Sequence, residues 1–194
     1  SVLAQARIVG SIGLTWPAVD SSTRRLAPSF LTAKAGLEMT YRCSHACLFC
    51  SCPWFADDDE CHVYPELGLG EWKCLIERFC NMGVANLAFT GGEPLLKEGI
   101  EELIAFAATS TTEHIESEEG ELVSRRAPPK LFLLSNGKAM REEVLELCAQ
   151  YDVALSMSLP GLTTFKEHTA GGDADKVLHW FGRAKELGVN TTAG

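Results

Sequence analysis

The 194-residue sequence predicts an α/β fold in which a parallel sheet is flanked by helices. Apolar runs of strand length alternate with single segments whose apolar residues recur at helical spacing. Gly83 and Gly188 follow two of these segments, as is common at helix ends. Such alternation is typical of βαβ units joined by right-handed crossovers. Strands are predicted at 35–40, 84–90, 130–134 and 153–159, with a fifth beginning at 189, and helices at 71–81, 97–108, 140–151 and 173–187.

The first helix shows the periodicity most clearly, because Trp72, Leu75, Ile76 and Phe79 fall at i, i+3, i+4 and i+7. The other three helices carry similar apolar stripes. One stretch, 109–129, breaks the alternation and is rich in serine, threonine and glutamate. We expect this stretch to form a mobile surface insertion. Residues 1–34 are predicted to be an N-terminal extension that includes one short strand within 8–14.

Polar motifs follow the predicted strands at the points where these strands end. In parallel α/β folds the carboxyl ends of the strands meet at one edge, and this edge carries the functional site. We therefore expect the polar motifs to converge there. They occupy positions 43–50, 91–94, 135–137 and 156–158.

Composition narrows the class of protein. The chain carries 17 basic and 26 acidic residues and a net charge of −9, so it has no obvious electrostatic footprint for nucleic acid, which argues against a nucleic-acid partner. No apolar run approaches the length of a membrane span, and no signal peptide is evident. Eight cysteines in such a chain indicate metal-bound thiolates in a reducing, cytoplasmic compartment.

Three of these cysteines, Cys43, Cys47 and Cys50, have the spacing C-x3-C-x2-C directly after a predicted strand. Three thiolates leave one iron of a [4Fe–4S] cluster with an open coordination position. A structural zinc site needs four protein ligands, and Cys52 or Cys61 would supply the fourth. The cysteine motif alone leaves zinc and iron–sulfur both open. We expect His45, inside the same loop, to face solvent.

A second motif, Gly91-Gly-Glu-Pro94, follows the next predicted strand. In this order the two motifs resemble those of the radical S-adenosylmethionine (SAM) superfamily, and the resemblance runs from about residue 37 to the last residue. It implies a partial (β/α)6 TIM-like barrel, here truncated after about four and a half βα units. The core would span 35–194 and would be C-terminally incomplete. We expect weak or absent activity from such a chain alone.

The resemblance also implies roles for the motif residues. Cys43, Cys47 and Cys50 would hold a [4Fe–4S] cluster, and Phe49 would pack near the adenine of SAM. Glu93 would offer its carboxylate to the ammonium group of SAM. Ser-Asn-Gly at 135–137 and the serines after the fourth strand resemble further SAM-binding steps. The implied SAM-binding set is Phe49, Gly91, Gly92, Glu93, Pro94, Ser135, Asn136, Ser156 and Ser158.

The function implied is that of an oxidoreductase-like enzyme that cleaves SAM reductively. The resulting 5′-deoxyadenosyl radical would abstract hydrogen from a peptide, protein or small-molecule substrate. The electron donor would be a flavodoxin or ferredoxin. The wording of the motifs is most similar to the branch with molybdenum-cofactor cyclases, sulfatase-maturating enzymes and peptide-modifying enzymes. Two alternatives are a non-catalytic zinc module and a radical SAM RNA-modifying enzyme.

Overall fold

A computed structural model describes residues 6–9, 34–50, 65–118 and 121–194. These residues form eight strands and five helices in an α/β arrangement, as the sequence predicts. The strands are β1 (Ala6–Val9), β2 (Lys34–Glu38), β3 (Asn86–Thr90), β4 (Thr112–Glu118), β5 (Glu121–Ala127), β6 (Lys130–Ser135), β7 (Ala154–Met157) and β8 (Thr191–Ala193). The helices are α1 (Leu69–Asn81), α2 (Ile100–Thr109), α3 (Glu142–Gln150), α4 (Phe165–His168) and α5 (Ala174–Glu186).

Six strands form one sheet in the order β1-β2-β3-β6-β7-β8. All neighbours from β2 to β8 are parallel, and β1 pairs antiparallel with β2 at one edge. In the part of the chain that the structure describes, β1 and β8 lie at opposite edges and do not pair with each other. The sheet is therefore an open portion of a barrel, and the predicted fold class is confirmed.

One face of the sheet carries the hydrophobic core. Leu37, Phe89 and Leu133 lie in register on this face, and each is fully buried. The residues that alternate with them along each strand lie on the opposite, half-exposed face, where Leu134 is 39% exposed. Strand side chains alternate between the two faces of a sheet, and here only one face is buried. The helices therefore cover only that face. The described helical residues that complete the core are Trp72, Leu75, Ile76, Phe79, Cys80, Ile100, Leu103, Ile104, Ala107, Val144, Leu145, Cys148, Phe165, Val177 and Ala184.

The predicted mobile insertion at 109–129 is wrong in one respect, because this stretch is a regular β-hairpin. Strands β4 and β5 pair antiparallel as a separate two-stranded sheet. The hairpin is attached to α1 by a hydrogen bond from the buried Thr112 hydroxyl to the Cys80 carbonyl, at 3.0 Å. The other hairpin residues whose burial the structure describes are half-buried or exposed, so they show no buried apolar alternation that would have identified the strands.

Two further elements differ from the prediction. The short helix α4 lies in a stretch to which no element was assigned. Within the predicted extension, β1 joins the main sheet, while residues 10–33 lie outside the described ranges. None of the helices in the described ranges has the length and apolar character that a bilayer span requires.

Candidate functional site

The cysteine loop begins beside the double-glycine turn at the carboxyl edge of the sheet. Beyond the ends of β2 and β3, the two segments that follow these strands stay hydrogen bonded to each other. The Gly92 amide donates to the Thr40 carbonyl at 2.9 Å, and the Glu93 amide donates to the Arg42 carbonyl at 2.8 Å. The two motifs that the sequence singled out therefore lie on the same rim, side by side.

Glycine is needed at positions 91 and 92 because backbone approaches backbone there. A Cβ atom on Gly91 would lie 2.6 Å from the Thr40 carbonyl oxygen, and Gly91 also has a φ of +132°. A Cβ atom on Gly92 would lie 2.3 Å from the Arg42 carbonyl oxygen. The close approach in the structure is to the chain that leads into the cysteine loop.

Glu93 is fully buried between the ends of β3 and β6. Its carboxylate accepts hydrogen bonds from the Leu95 amide at 3.1 Å, the Ser135 hydroxyl at 2.9 Å and the Asn136 amide at 2.7 Å. Burial raises the pKa of Glu93, although these three hydrogen bonds act to lower it. A carboxylate offers about four lone-pair sites, so about one remains for a further donor. The predicted contact with an ammonium group stays a prediction.

The three motif cysteines lie on one loop with graded exposure. Cys43 and Cys47 are partly buried, and Cys50 is exposed. Burial raises the pKa of the Cys47 thiol, and the charges of Cys43 and Cys50 raise it further. Among the described residues, no three metal-ligating side chains are close enough to form a preformed metal site. The charges of the three sulfur atoms thus influence one another, but the sulfur atoms do not converge as the ligands of a metal ion would. The alternative fourth ligands, Cys52 and Cys61, lie outside the described residues.

The loop after β6 holds the start of the cysteine loop. The Asn136 side-chain amide donates to the Cys43 sulfur at 3.6 Å and to the Ser44 hydroxyl at 3.3 Å. The Lys138 ammonium donates to the Ser44 carbonyl at 3.1 Å. Ser135, also in the predicted set, uses its hydroxyl to connect the Glu93 carboxylate with the Gly137 amide. The predicted third strand end therefore contacts both motifs.

His45 does not face solvent as predicted. Both of its ring nitrogens are buried, and neither has a hydrogen-bond partner in the structure. The ring packs edge-on against Phe165, with centroids 6.4 Å apart. It also lines a cavity of about 120 Å³ between the cysteine loop and the start of α5, which is roomy enough for water. Burial lowers the pKa of His45, and the Lys138 charge lowers it further.

Phe49 and the two serines occupy the same rim in different environments. Phe49 is 54% exposed at the tip of the cysteine loop, so its ring is not part of the core. Ser156 lies on the half-exposed face of the sheet, in register with Leu134 and Thr192. The Ser158 amide donates to the Ser135 carbonyl at 3.0 Å, which extends the pairing of β6 and β7 beyond their ends. Their roles toward SAM stay predictions.

A second carboxylate near the site was missed by sequence reasoning. Glu66 accepts hydrogen bonds from the Thr40 hydroxyl and, at 3.1 Å, from the Tyr41 amide. The Lys97 ammonium lies 3.4 Å from the same carboxylate and donates to the Leu67 carbonyl at 2.6 Å. Burial acts to raise the pKa of Glu66, but these donors outweigh it and the pKa is lowered. Glu66 belongs to no motif and lies 26 residues from Thr40, so only the fold reveals the contact.

Curated proteins of similar sequence share part of this chain. Two PqqA peptide cyclases from Xanthomonas oryzae pv. oryzae strains are 38% identical over 73 residues, which is 38% of this chain and 18% of theirs. A PqqA peptide cyclase from Xanthomonas campestris pv. campestris is 38% identical over 71 residues, or 37% of this chain and 18% of its own. The chain thus matches less than a fifth of the length of these relatives.

Solved structures share the fold at low sequence identity. Streptococcus suis SuiB bound to S-adenosylmethionine superposes with a TM-score of 0.62 at 17% identity, over 81% of this chain and 32% of that one. Native anSMEcpe with bound AdoMet and Cp18Cys peptide gives a TM-score of 0.60 at 17% identity, over 81% of this chain and 41% of that one. The sequence model of the radical SAM superfamily matches residues 37–194. With both motifs on one rim and the match covering most of its length, the chain belongs to the radical SAM superfamily.

Proposed function

We propose that the chain is the cluster- and SAM-binding part of a radical SAM enzyme that acts on a peptide. The observation that carries this proposal is the adjacency of the cysteine loop and the double-glycine turn. Backbone hydrogen bonds at Gly92 and Glu93 join the two segments at the carboxyl edge of the parallel sheet. A cluster on one segment and a SAM molecule on the other would then be neighbours.

The donor set fits an iron–sulfur cluster. Cys43, Cys47 and Cys50 offer three soft thiolate ligands on a single loop, which is the ligand type that such clusters take. A [4Fe–4S] cluster with three protein ligands supplies, when bound, an iron that SAM can complete and an electron for its reductive cleavage. The thiols must lose their protons to bind, because thiolates are the ligands. The chain itself holds the loop in place and fixes the rim.

The residues of the rim suit the binding of SAM beside this loop. Phe49 exposes its ring at the tip of the loop, where an aromatic face suits a purine. Glu93 keeps about one lone-pair site for an ammonium donor. Ser156 and Ser158 lie at the same edge and offer hydroxyl groups. Pro94 is buried and begins a 3₁₀ turn, Pro94–Leu96, that closes the double-glycine segment.

The open face of the sheet supports a peptide as the substrate. Leu134, Ser156 and Thr192 form a row across neighbouring strands on this face. It offers apolar and hydroxyl groups to an extended chain. Among the similar proteins, the relatives are PqqA peptide cyclases, and SuiB and anSMEcpe have been solved with the SuiA precursor peptide and the Cp18Cys peptide. We therefore favour a peptide over a small molecule or RNA.

The electron would come from a small redox protein of the flavodoxin or ferredoxin class. Leu48 is 78% exposed, and Cys50, two residues further along the loop, is exposed as well. An exposed apolar tip next to the ligand set gives a donor protein short-range access. We expect the enzyme to work in the cytoplasm, where thiols stay reduced.

The test is anaerobic reconstitution with iron and sulfide, followed by dithionite reduction in the presence of SAM. We expect a brown chain with absorbance near about 400 nm, as is typical of cysteine-ligated clusters. We also expect release of 5′-deoxyadenosine, because SAM cleavage needs no peptide; the weak or absent activity expected of this chain alone concerns turnover of a substrate. Cys47→Ala should lose both signals. Cys74→Ala is the matched control, because Cys74 is exposed on α1 outside the cysteine loop, and it should keep both.

Two results would contradict the proposal. A colourless chain that takes up one zinc ion per molecule would favour a structural metal site completed by a fourth cysteine. A chain that assembles a cluster but does not cleave SAM, even with a large excess of dithionite, would show that the cluster and a working SAM site do not occur together. Titration with peptide and with RNA at several salt concentrations then identifies the substrate class, since RNA binding weakens steeply with salt.

A further inference from the structure

The side-chain amide and the backbone N–H of Asn136 are engaged within the chain. The side-chain nitrogen donates to the Cys43 sulfur at 3.6 Å and to the Ser44 hydroxyl at 3.3 Å. The side-chain oxygen accepts from the Lys138 amide at 2.9 Å, and the backbone amide donates to Glu93 at 2.7 Å. An amide nitrogen has two protons and both are used, so the side chain has no donor left for SAM.

We propose that Asn136 is a positioning residue for Cys43 rather than a ligand of SAM. The inference rests on the proposed function, since it assigns Asn136 a role toward the cluster that Cys43 would hold. In this role the Asn136 amide donates a hydrogen bond to the Cys43 thiolate. It fixes the direction of the sulfur and tunes the cluster from outside its ligand set.

Hydrogen bonds hold the backbone around Asn136 in place, as a positioning residue requires. The Glu93 carboxylate, buried in the core, holds its backbone amide. The Ser135 hydroxyl accepts from the Gly137 amide at 3.0 Å, and Gly137 takes a φ of +77° that suits glycine. The side-chain oxygen caps the turn at Lys138. Asn136 is thus fixed on both sides, and its amide nitrogen points at the cysteine loop.

Cys43 and Cys50 would enter the ligand set from different environments. Cys43 is partly buried, accepts from Asn136 and feels the Glu93 charge, whereas Cys50 is exposed. A hydrogen bond to a ligating sulfur stabilises the reduced, more negative form of a cluster more than the oxidised form. The Asn136 donor, which acts on Cys43 beside the backbone N–H of His45, should therefore raise the reduction potential of the cluster, and its loss should lower it.

The experiment compares reduction potentials of the reconstituted chain by mediated titration with dithionite. Asn136→Leu removes the amide at nearly constant size. Asn136→Asp keeps an oxygen for the Lys138 amide and so spares the turn, but it also places a negative charge beside the Cys43 sulfur. At a fixed poise we expect the ratio of reduced to oxidised cluster to fall about tenfold in Asn136→Leu, which is about 59 mV for one electron, and at least as far in Asn136→Asp, because the added charge opposes reduction further. Ser44→Ala is the control, because it removes the other acceptor and leaves the donor to sulfur in place.

A spectroscopic readout separates this role from a merely structural one. Deuterium exchange of the wild-type chain should shift the iron–thiolate stretching bands in the Raman spectrum, and the shift should shrink in both Asn136 variants. Wild-type potentials and bands in both variants would overturn the inference while leaving the proposed function intact. A wild-type chain that assembles no cluster would overturn the proposed function itself, and the inference with it.

Discussion

The contact between Gly92 and Arg42 predicts that adding a single methyl group will separate the two motif segments. In Gly92→Ala the new Cβ would meet the Arg42 carbonyl oxygen at 2.3 Å and its carbonyl carbon at 2.8 Å. Both are backbone atoms, so no flexible side chain can move aside. The backbone of Gly92 does not need a positive φ, and the effect therefore comes from space alone.

The magnitude follows from two contributions. Overpacking of a tight site costs about 1–3 kcal/mol. Moving the chains apart also weakens the hydrogen bonds from Gly92 to Thr40 and from Glu93 to Arg42, each of which contributes about 0.5–1.5 kcal/mol. We expect Gly92→Ala to lower the free energy of unfolding by about 2–6 kcal/mol, which is a large share of the usual 5–15 kcal/mol of a domain.

The assay is urea unfolding of the metal-free chain followed by far-ultraviolet circular dichroism. Gly182→Ala is the matched control, because Gly182 lies in α5 and a Cβ there would meet nothing within 4 Å. We expect this control to be about 0.5–1 kcal/mol more stable than the wild type, since alanine is the better helix former. A free energy for Gly92→Ala within about 0.5 kcal/mol of the wild type would refute the reasoning.

Three further predictions follow from single residues. Cys148 is fully buried, and burial raises its pKa to about 12. In the folded chain, iodoacetamide should therefore label it at least about tenfold more slowly than the exposed Cys74. Mass spectrometry of digested peptides measures the two labelling rates, and equal rates would contradict the burial of Cys148. Glu66→Gln should cost about 1–3 kcal/mol at neutral pH. Because the folded pKa of Glu66 lies below its ordinary 4.5, the stabilisation is present above that value and lost as pH falls through the folded pKa, so the gap between wild type and variant should close in acid unfolding titrations; a gap that stays constant would argue against the charge. Asp173 caps α5 by accepting from the Asp175 amide at 3.0 Å, so Asp173→Ala should lose about 0.5–2 kcal/mol in urea unfolding while Asp173→Asn stays close to the wild type.

The sequence predicts an element well where one of its faces packs on the core, because the buried residues then form an apolar pattern. The stripe of Trp72, Leu75, Ile76 and Phe79 predicted α1, and all four side chains are buried in the structure. The hairpin of β4 and β5 has no such apolar stripe, because its described side chains are largely polar and face solvent, such as Arg125 and Glu118, which lie 2.6 Å apart. Polar cross-strand pairs follow no hydrophobic period, and a window of sequence does not reveal them.

The location of the site was predictable, and its contacts were not. Parallel strands must end at one edge, so motifs that follow them had to converge there. Which atoms meet at that edge depends on distant parts of the chain. Asn136 and Cys43 are 93 residues apart, and the direction of the amide toward the sulfur comes only from the fold. The burial of His45 was missed for the same reason, since Phe165 and the α5 end of the cavity enclose it.

Two carboxylates flank the start of the cysteine loop, and their opposite pKa shifts point to different roles. Glu66 lies beside the Lys97 ammonium, and its pKa is lowered despite burial, so it stays ionised and fixes the end of β2. Glu93 receives two peptide N–H groups and one hydroxyl, all neutral, and burial raises its pKa. A buried carboxyl group with neutral donors gains more from an incoming cation than one already paired. Of the two, Glu93 is therefore the one to which we assign the proposed contact with the ammonium group of SAM, whereas Glu66 supports the rim through Thr40, Tyr41 and Lys97.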